Sequence, residues 1–271
     1  MTATDVPVRA PGRAGAGPAG VFLAILWRDV FVTGREFWVF LAQVVIQPLF
    51  MLFVFAKVLG ELNYVSDSYG HLLLPGIVAL TAFLTALQTV SFPLVLEFGW
   101  TREIEDRLLA PIPIPLVAVE KVVIAMARGL VAAALLFPIG ALVLGSAPWR
   151  AAGLPLLVLV LVLGGWSGGA LGLIIGTLLP PSRLNIMFAL ILTPLLFTGA
   201  IQYPWPSLDA LPVFQVVTAL NPLTYVSEGV RAALVPEVPH IVPWICVLVL
   251  VVSGAAFMAT GMWGFQRRAV D

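Results

Sequence analysis

Two short polar stretches and a few amides hold nearly all the residues whose types and spacing could do chemistry in this chain. The first is 97–121 (EFGWTREIEDRLLAPIPIPLVAVEK). Thr101 can cap a short helix, and Glu103, Glu105 and Asp106 fall near its positive end, where acids are favoured. Glu103 with Arg107 and Arg102 with Asp106 are i,i+4 pairs, Leu108 adds an apolar edge, and Pro111, Pro113 and Pro115 are expected to stop the helix. A rigid charged helix at 101–110 suits docking to a soluble partner; the alternative is a solvated connector. The second stretch is 221–231 (NPLTYVSEGVR). There Asn221 caps a helix, Pro222 takes its first position, and Glu228 and Arg231 pair at i,i+3. Gln43, Gln47 and Gln88, with Phe50 beside them, are the polar groups and ring available to a solute moving among the apolar helices.

Groups for covalent chemistry are missing. His71 and His240 are the only histidines and lie far apart in the chain, a poor start for a metal site. No G-x-x-x-x-G-K-[ST] sequence occurs, so no phosphate-cradling loop is expected. Cys246 is the single cysteine and cannot form an internal disulfide. The spans hold no Asp or Glu at their middles, which argues against an ion-coupled carrier.

The elements that position these groups are membrane helices. The 271 residues are 61% hydrophobic, with mean hydropathy +1.05. A bilayer core of roughly 30 Å needs about 20 apolar residues of helix. Six runs reach or approach that length: 37–59, 72–96, 122–145, 153–179, 186–201 and 241–265, the fifth being the shortest. Continuous apolar runs mean helices, because backbone groups in lipid must pair within the segment. The fold class is therefore all-α integral membrane with six spans.

Residues 1–20 are rich in Pro, Gly and Ala without the apolar middle of a signal peptide, and read as a disordered cytoplasmic tail. Residues 21–36 place Leu23, Trp27 and Val30 at helical spacing opposite Arg28, Arg35 and Glu36. That describes an interfacial amphipathic helix, or else an extension of the first span. Residues 37–271 then form the six-span domain. The segment 202–240 is Pro-rich and half apolar, and reads as two short helices, 207–219 and 222–234, re-entering the outer leaflet under cover of other protein.

Gly164, Gly168, Gly172 and Gly176 recur every four residues and share one face of the fourth span. Bare backbone there allows close helix approach, within the chain or at a subunit interface. Lys57 is placed to snorkel. Arg128 lies two turns inside the third span and is expected to pair with Glu120 or Glu97. With both termini in the cytoplasm, ten Arg and Lys face inward and three outward, the favoured orientation.

These residues together resemble a known family. The order of elements, the acidic 97–121 segment with its P-x-P turn and Lys121, the stretch 192–206 (LTPLLFTGAIQYPWP) and NPLTYVSEGVR are similar to the membrane subunits of type-2 ABC transporters. This export family includes daunorubicin-resistance, nodulation-factor and O-antigen permeases. Thr198 stands where the family often has Ser, and the acidic segment lacks the Gly-Thr pair common after it.

The resemblance implies a permease of the bacterial cytoplasmic membrane, working as a homodimer or with a paralogue. Two cytoplasmic ATPase subunits would hold the ATP and Mg, with no cofactor in this chain and no nucleic-acid partner. Residues Arg102, Glu103, Glu105, Asp106, Arg107 and Leu108 would form the helix that couples to the ATPase. Asn221, Pro222, Glu228 and Arg231 would belong to the outer gate, and the first and fifth spans would line the path. The expected function is efflux of an amphipathic drug or lipid-like compound, conferring antibiotic resistance; export of a glycan or lipid-linked glycan is the alternative. An ATPase-independent carrier is a second alternative, and an intramembrane enzyme is disfavoured by the missing catalytic sets.

Overall fold

The computed structural model describes residues 37–66, 68–98, 113–180, 182 and 184–270. The expected tail at 1–20, the amphipathic helix at 21–36 and the charged helix at 101–110 lie outside the described residues. Helices follow one another without strands among the described residues: α1 Phe37–Leu52, α2 Tyr69–Leu96, α3 Ile114–Leu144, α4 Leu154–Leu178, α5 Leu184–Thr198, α6 Pro212–Ala219, α7 Pro222–Leu234 and α8 Pro243–Val270. Five described segments are long and apolar enough to cross a membrane: Phe40–Glu61, Tyr69–Leu96, Pro115–Leu144, Ala151–Leu178 and Pro243–Arg268. The expected fifth span corresponds to α5, whose 15 residues make a helix of only about 22 Å.

Short connections make successive helices antiparallel. One end of the bundle carries the α1–α2 and α3–α4 turns and the 199–242 segment; we call it the hairpin end. The other, the junction end, carries the last turns of α2, α4 and α8 and the first turn of α3.

Several boundaries follow from single residues. Gly145, at φ +78°, ends α3 in the left-handed conformation that suits glycine. Pro115 lies in the first turn of α3, so it starts this helix, where the sequence reading had it stopping the one before. A proline at that position loses no intrahelical bond. The helix expected at 207–219 is instead split. A 3₁₀ turn spans Trp205–Leu208 and α6 begins only at Pro212. Pro212 has no N–H to continue an earlier helix, and Leu211 before it sits outside helical space at φ −130°, ψ 65°. The helix expected at 222–234 is α7.

Helices α2 and α4 form the core. In α2, 83% of the most apolar window is buried, against 17% in the first span. The glycines of α4 explain how the two come together. A Cβ on Gly168 would stand 2.5 Å from the Phe83 carbonyl oxygen, and one on Gly172 would stand 2.4 Å from that of Leu87. Gly176 meets the side chain of Leu94 rather than a carbonyl, and Gly164 faces Val226 of α7. Gly165 and Gly169 press α4 against Met126 and Val122 of α3. On the α8 side the small residues come from the partner helix: Gly254 lies on Trp166 and Gly261 on Leu173. The stripe thus serves contact within the chain.

Helix α1 is less regular. After Pro48 it widens into a π turn at Phe53–Val58 before closing at Leu59–Glu61. Lys57 and Glu61 form an exposed ion pair of 3.0 Å on that last turn.

Candidate functional site: a polar cleft, a buried hairpin knot and a basal junction

A cleft of about 500 Å³ opens between the first half of α1 and the second half of α2. Gln43 and Gln47 line it from α1, Gln88 from α2 and Arg128 from α3. Three of the four residues expected to face a solute are therefore in one cavity. Phe50 is not among its lining; it sits in a neighbouring groove of about 350 Å³ with Leu49, Phe53, Lys57, Leu142 and Val143.

Two prolines stand in the cleft walls, Pro48 and Pro93. Each lacks an N–H, so the carbonyls of Val44 and Thr89, four residues earlier, lose their helical donors. Glu97, one of the two acids expected to pair with Arg128, is bound by Lys121 instead. The Arg128 guanidinium carbon lies 4.8 Å from the centre of the Phe40 ring, a cation–π arrangement. Sequence reasoning did not place Arg128 in the cleft, because its distance from Gln43 and Gln88 along the chain hides their proximity.

At the hairpin end, Glu228 and Arg231 are buried with no exposed surface. Arg231 Nη1 donates to Glu228 Oε1. The same Oε1 accepts from the Trp205 N–H at 3.0 Å, and Oε2 accepts from the Ile241 N–H at 2.8 Å. Arg231 Nη2 donates to the carbonyls of Ala200 at 3.0 Å and Ile201 at 3.4 Å. Ala200 has φ +49°, a conformation disfavoured for a residue with a side chain, and the guanidinium bond holds it there.

Asn221 makes the second half of the knot. Its Oδ1 accepts from Leu223 N at 2.9 Å, capping α7. Its Nδ2 donates to Leu195 O and Thr198 Oγ1, both at 2.9 Å. Thr224 Oγ1 reaches the carbonyls of Thr198 at 3.0 Å and Thr218 at 2.6 Å. One motif therefore ties α5, α6, α7 and the start of α8 together. Burial raises the phenol pKa of Tyr203 and of Tyr225, so both stay neutral donors; they bond the carbonyls of Phe197 at 2.7 Å and Ala219 at 2.9 Å.

The junction end has its own cluster. Lys121 Nζ lies 2.9 Å from both oxygens of Glu97, a bidentate pair joining α3 to α2. Arg268 of α8 donates to the carbonyls of Thr177 at 2.6 Å and Leu179 at 3.2 Å, satisfying the open C-terminus of α4. Its guanidinium also lies 5.0 Å from the Phe98 ring centre, and Phe98 meets Phe265 edge-on at 5.6 Å. Sequence reasoning counted Arg268 only as a marker of the inner side; no local pattern signals that it caps a helix ninety-odd residues earlier. This cluster stands directly before the 99–112 segment.

No group of three or more metal-ligating side chains occurs among the described residues. The arrangement offers a polar cleft and side-chain ties between helices. The decisive comparison is with sequence profiles: residues 20–235 match the family described as "ABC-2 type transporter". The chain belongs to the ABC-2 type transporter family. It is a membrane permease subunit of that family.

Curated relatives agree. The "Inner membrane transport permease YadH" of Escherichia coli (strain K12) is 26% identical over 245 residues, covering 86% of this chain and 91% of the relative. The proteins of the same name from Escherichia coli O157:H7 and Shigella flexneri match equally. In this ABC-2 subunit, the match ends one residue after α7, so it takes in the cleft and all of the hairpin knot but Ile241, and leaves out α8.

Proposed function

We propose that this chain is the permease of an ATP-driven exporter of the bacterial inner membrane, with both termini in the cytoplasm. It moves an amphipathic drug or lipid-like compound outward, powered by a separate ATPase that docks on the 101–110 segment. A second permease copy or paralogue completes the pathway. The observation that carries this reading is the cleft between α1 and α2, which gathers Gln43, Gln47 and Gln88 among apolar helices in a member of a transport family.

The cleft lies toward the junction end, which the distribution of Arg and Lys assigns to the cytoplasm. Cargo taken up there would pass along α1 toward the hairpin knot. The π turn at Phe53–Val58 lies on that route; such turns weaken a helix locally and recur at functional sites. The knot at Glu228 and Arg231 serves as the outer closure. Coupling would run from 101–110 through Glu97–Lys121 and Arg268 into α2, α3, α4 and α8.

The test is transport in inverted membrane vesicles carrying the chain with its co-purified ATPase. A fluorescent amphiphile should accumulate only with ATP, and Gln47→Leu with Gln88→Leu should remove most of that accumulation. Uptake indifferent to ATP would overturn the exporter reading. Cargo movement in proteoliposomes of this chain alone would establish a stand-alone carrier instead.

A further inference from the structure

The groove beside Phe50 has an order along its length. Leu49, Phe53, Lys57 and Glu61 recur every fourth residue of the first span. Such a row drifts around an α-helix, because a turn takes only 3.6 residues. The wider closure of the π turn at Phe53–Val58 takes back part of that drift. Lys57 therefore still lines the groove with Leu49, Phe50 and Phe53, and Leu142 and Val143 form the facing wall. Gly70, in the first turn of α2, faces both Ala56 and Leu144, so the ends of the first span and of α3 come level. Phe50, Phe53 and Leu142 are exposed among the described residues. From Leu49 to Lys57 the helix rises by about 12 Å, within the depth of one leaflet of a core of roughly 30 Å. That is room for the upper part of one acyl chain.

The rim carries both signs of charge in a fixed order. Lys57 Nζ lies 3.0 Å from Glu61 Oε1, and both side chains are more than half exposed. Neither charge belongs in hydrocarbon, so the pair marks the membrane edge. Lys57 stands at the mouth of the groove and Glu61 one turn further out. An ammonium has three donors and a carboxylate about four acceptor positions, and the contact between them takes one of each. The pair is neutral as a whole, so it draws no anionic lipid by net charge. It matches a headgroup that is itself a phosphate followed by a cation. With a chain in the groove, the phosphate falls at Lys57, and the cation, further from the glycerol, falls at Glu61. A primary ammonium can donate a charge-assisted bond to that carboxylate, whereas a trimethylated one has no N–H to give.

We infer that this groove holds a resident zwitterionic phospholipid with a primary ammonium head. One acyl chain lies between α1 and α3, the phosphate meets Lys57 and the ammonium meets Glu61. The site depends neither on the cargo nor on the ATPase proposed above.

The test is native mass spectrometry of the full chain, titrated in detergent with phosphatidylethanolamine, phosphatidylcholine and phosphatidylglycerol of identical chains. Phosphatidylethanolamine should form a one-to-one adduct about fivefold tighter than either other lipid, the gain of two exposed ionic contacts together. Leu142→Trp fills the groove and should weaken all three. Lys57→Glu with Glu61→Lys keeps an i,i+4 pair but reverses its order, and should bring phosphatidylethanolamine down to the level of phosphatidylcholine. Glu61→Gln should turn the preference toward phosphatidylglycerol. The substituted side chains are exposed, and unchanged circular dichroism would show that the bundle persists. Equal wild-type binding of the three lipids, or a reversed pair that keeps the ethanolamine preference, would overturn the headgroup assignment. Adducts indifferent to Leu142→Trp would overturn the groove itself. A wild-type dimer that Leu142→Trp splits into monomers would put a second copy of the chain in the groove and overturn the lipid site.

Discussion

Glu228 and Arg231 hold opposite charges with no exposed surface, and that makes their partners a matter of stability. A buried charge stripped of its counterpart is strongly unfavourable, whereas replacing both groups with apolar ones is often tolerated. Arg231→Met should therefore lower stability by about 3–5 kcal/mol, and Glu228→Gln by a comparable amount. The double variant should lose less than the sum, measured by unfolding in detergent. Additive losses would mean that the two residues act through separate contacts. The pairing itself was legible in the sequence, because a spacing of three on a helix puts two side chains side by side. The backbone partners were not. Trp205, Ala200 and Ile241 approach Glu228 and Arg231 only after the chain has folded back. Asn221 shows the same division: its cap on Leu223 is local and readable, its bonds to Leu195 and Thr198 are tertiary.

Among elements, α4 depends on what its residues lack. Gly168→Ala or Gly172→Ala would drive a Cβ into a carbonyl oxygen of α2, at 2.5 and 2.4 Å, and neither backbone can retreat alone. Each should abolish the monodisperse peak in size-exclusion chromatography. Gly165→Ala, whose nearest neighbour would be 3.3 Å away, should leave the peak and lower the midpoint of thermal unfolding by only a few degrees. If all three behaved alike, close helix contact would not be what the glycines supply. Their spacing announced one packed face, and the second face at Gly165 and Gly169 went unread because two positions make no pattern. The π turn in α1 was equally silent. Pro48 hints at disturbance, but where a helix re-forms after a proline depends on neighbouring helices.

For the whole molecule, the junction end is where outside force would enter. Arg268→Ala removes the donor at the end of α4 and the cation above Phe98. In the coupled transporter it should lower ATP-driven transport several-fold, while ATPase hydrolysis continues and the chain still folds. Parallel loss of hydrolysis and transport would instead point to failed assembly. Glu103→Ala with Arg107→Ala should release the ATPase in a pull-down from gently solubilised membranes while leaving insertion intact; retention of a stoichiometric ATPase would remove that helix as the docking surface. Helical membrane architecture and most span ends were readable from hydropathy. The cleft was readable only as a set of candidate amides, since nothing local says that α1, α2 and Arg128 converge.

The unequal burial of the helices has a mechanical meaning. Helix α4 is pinned by glycine contacts against α2, α3, α7 and α8, and α2 is the most enclosed of the five long apolar helices described. Such a pair cannot shift without breaking many contacts together, so it behaves as a stator. In the proposed transporter, helix α1, mostly uncovered and interrupted by its π turn, would be the wall that moves against it. A working stroke would then be asymmetric, with one wall of the cleft fixed and the other moving. Deuterium uptake should follow that division, slow throughout α2 and α4 and fast around residues 53–58 of α1.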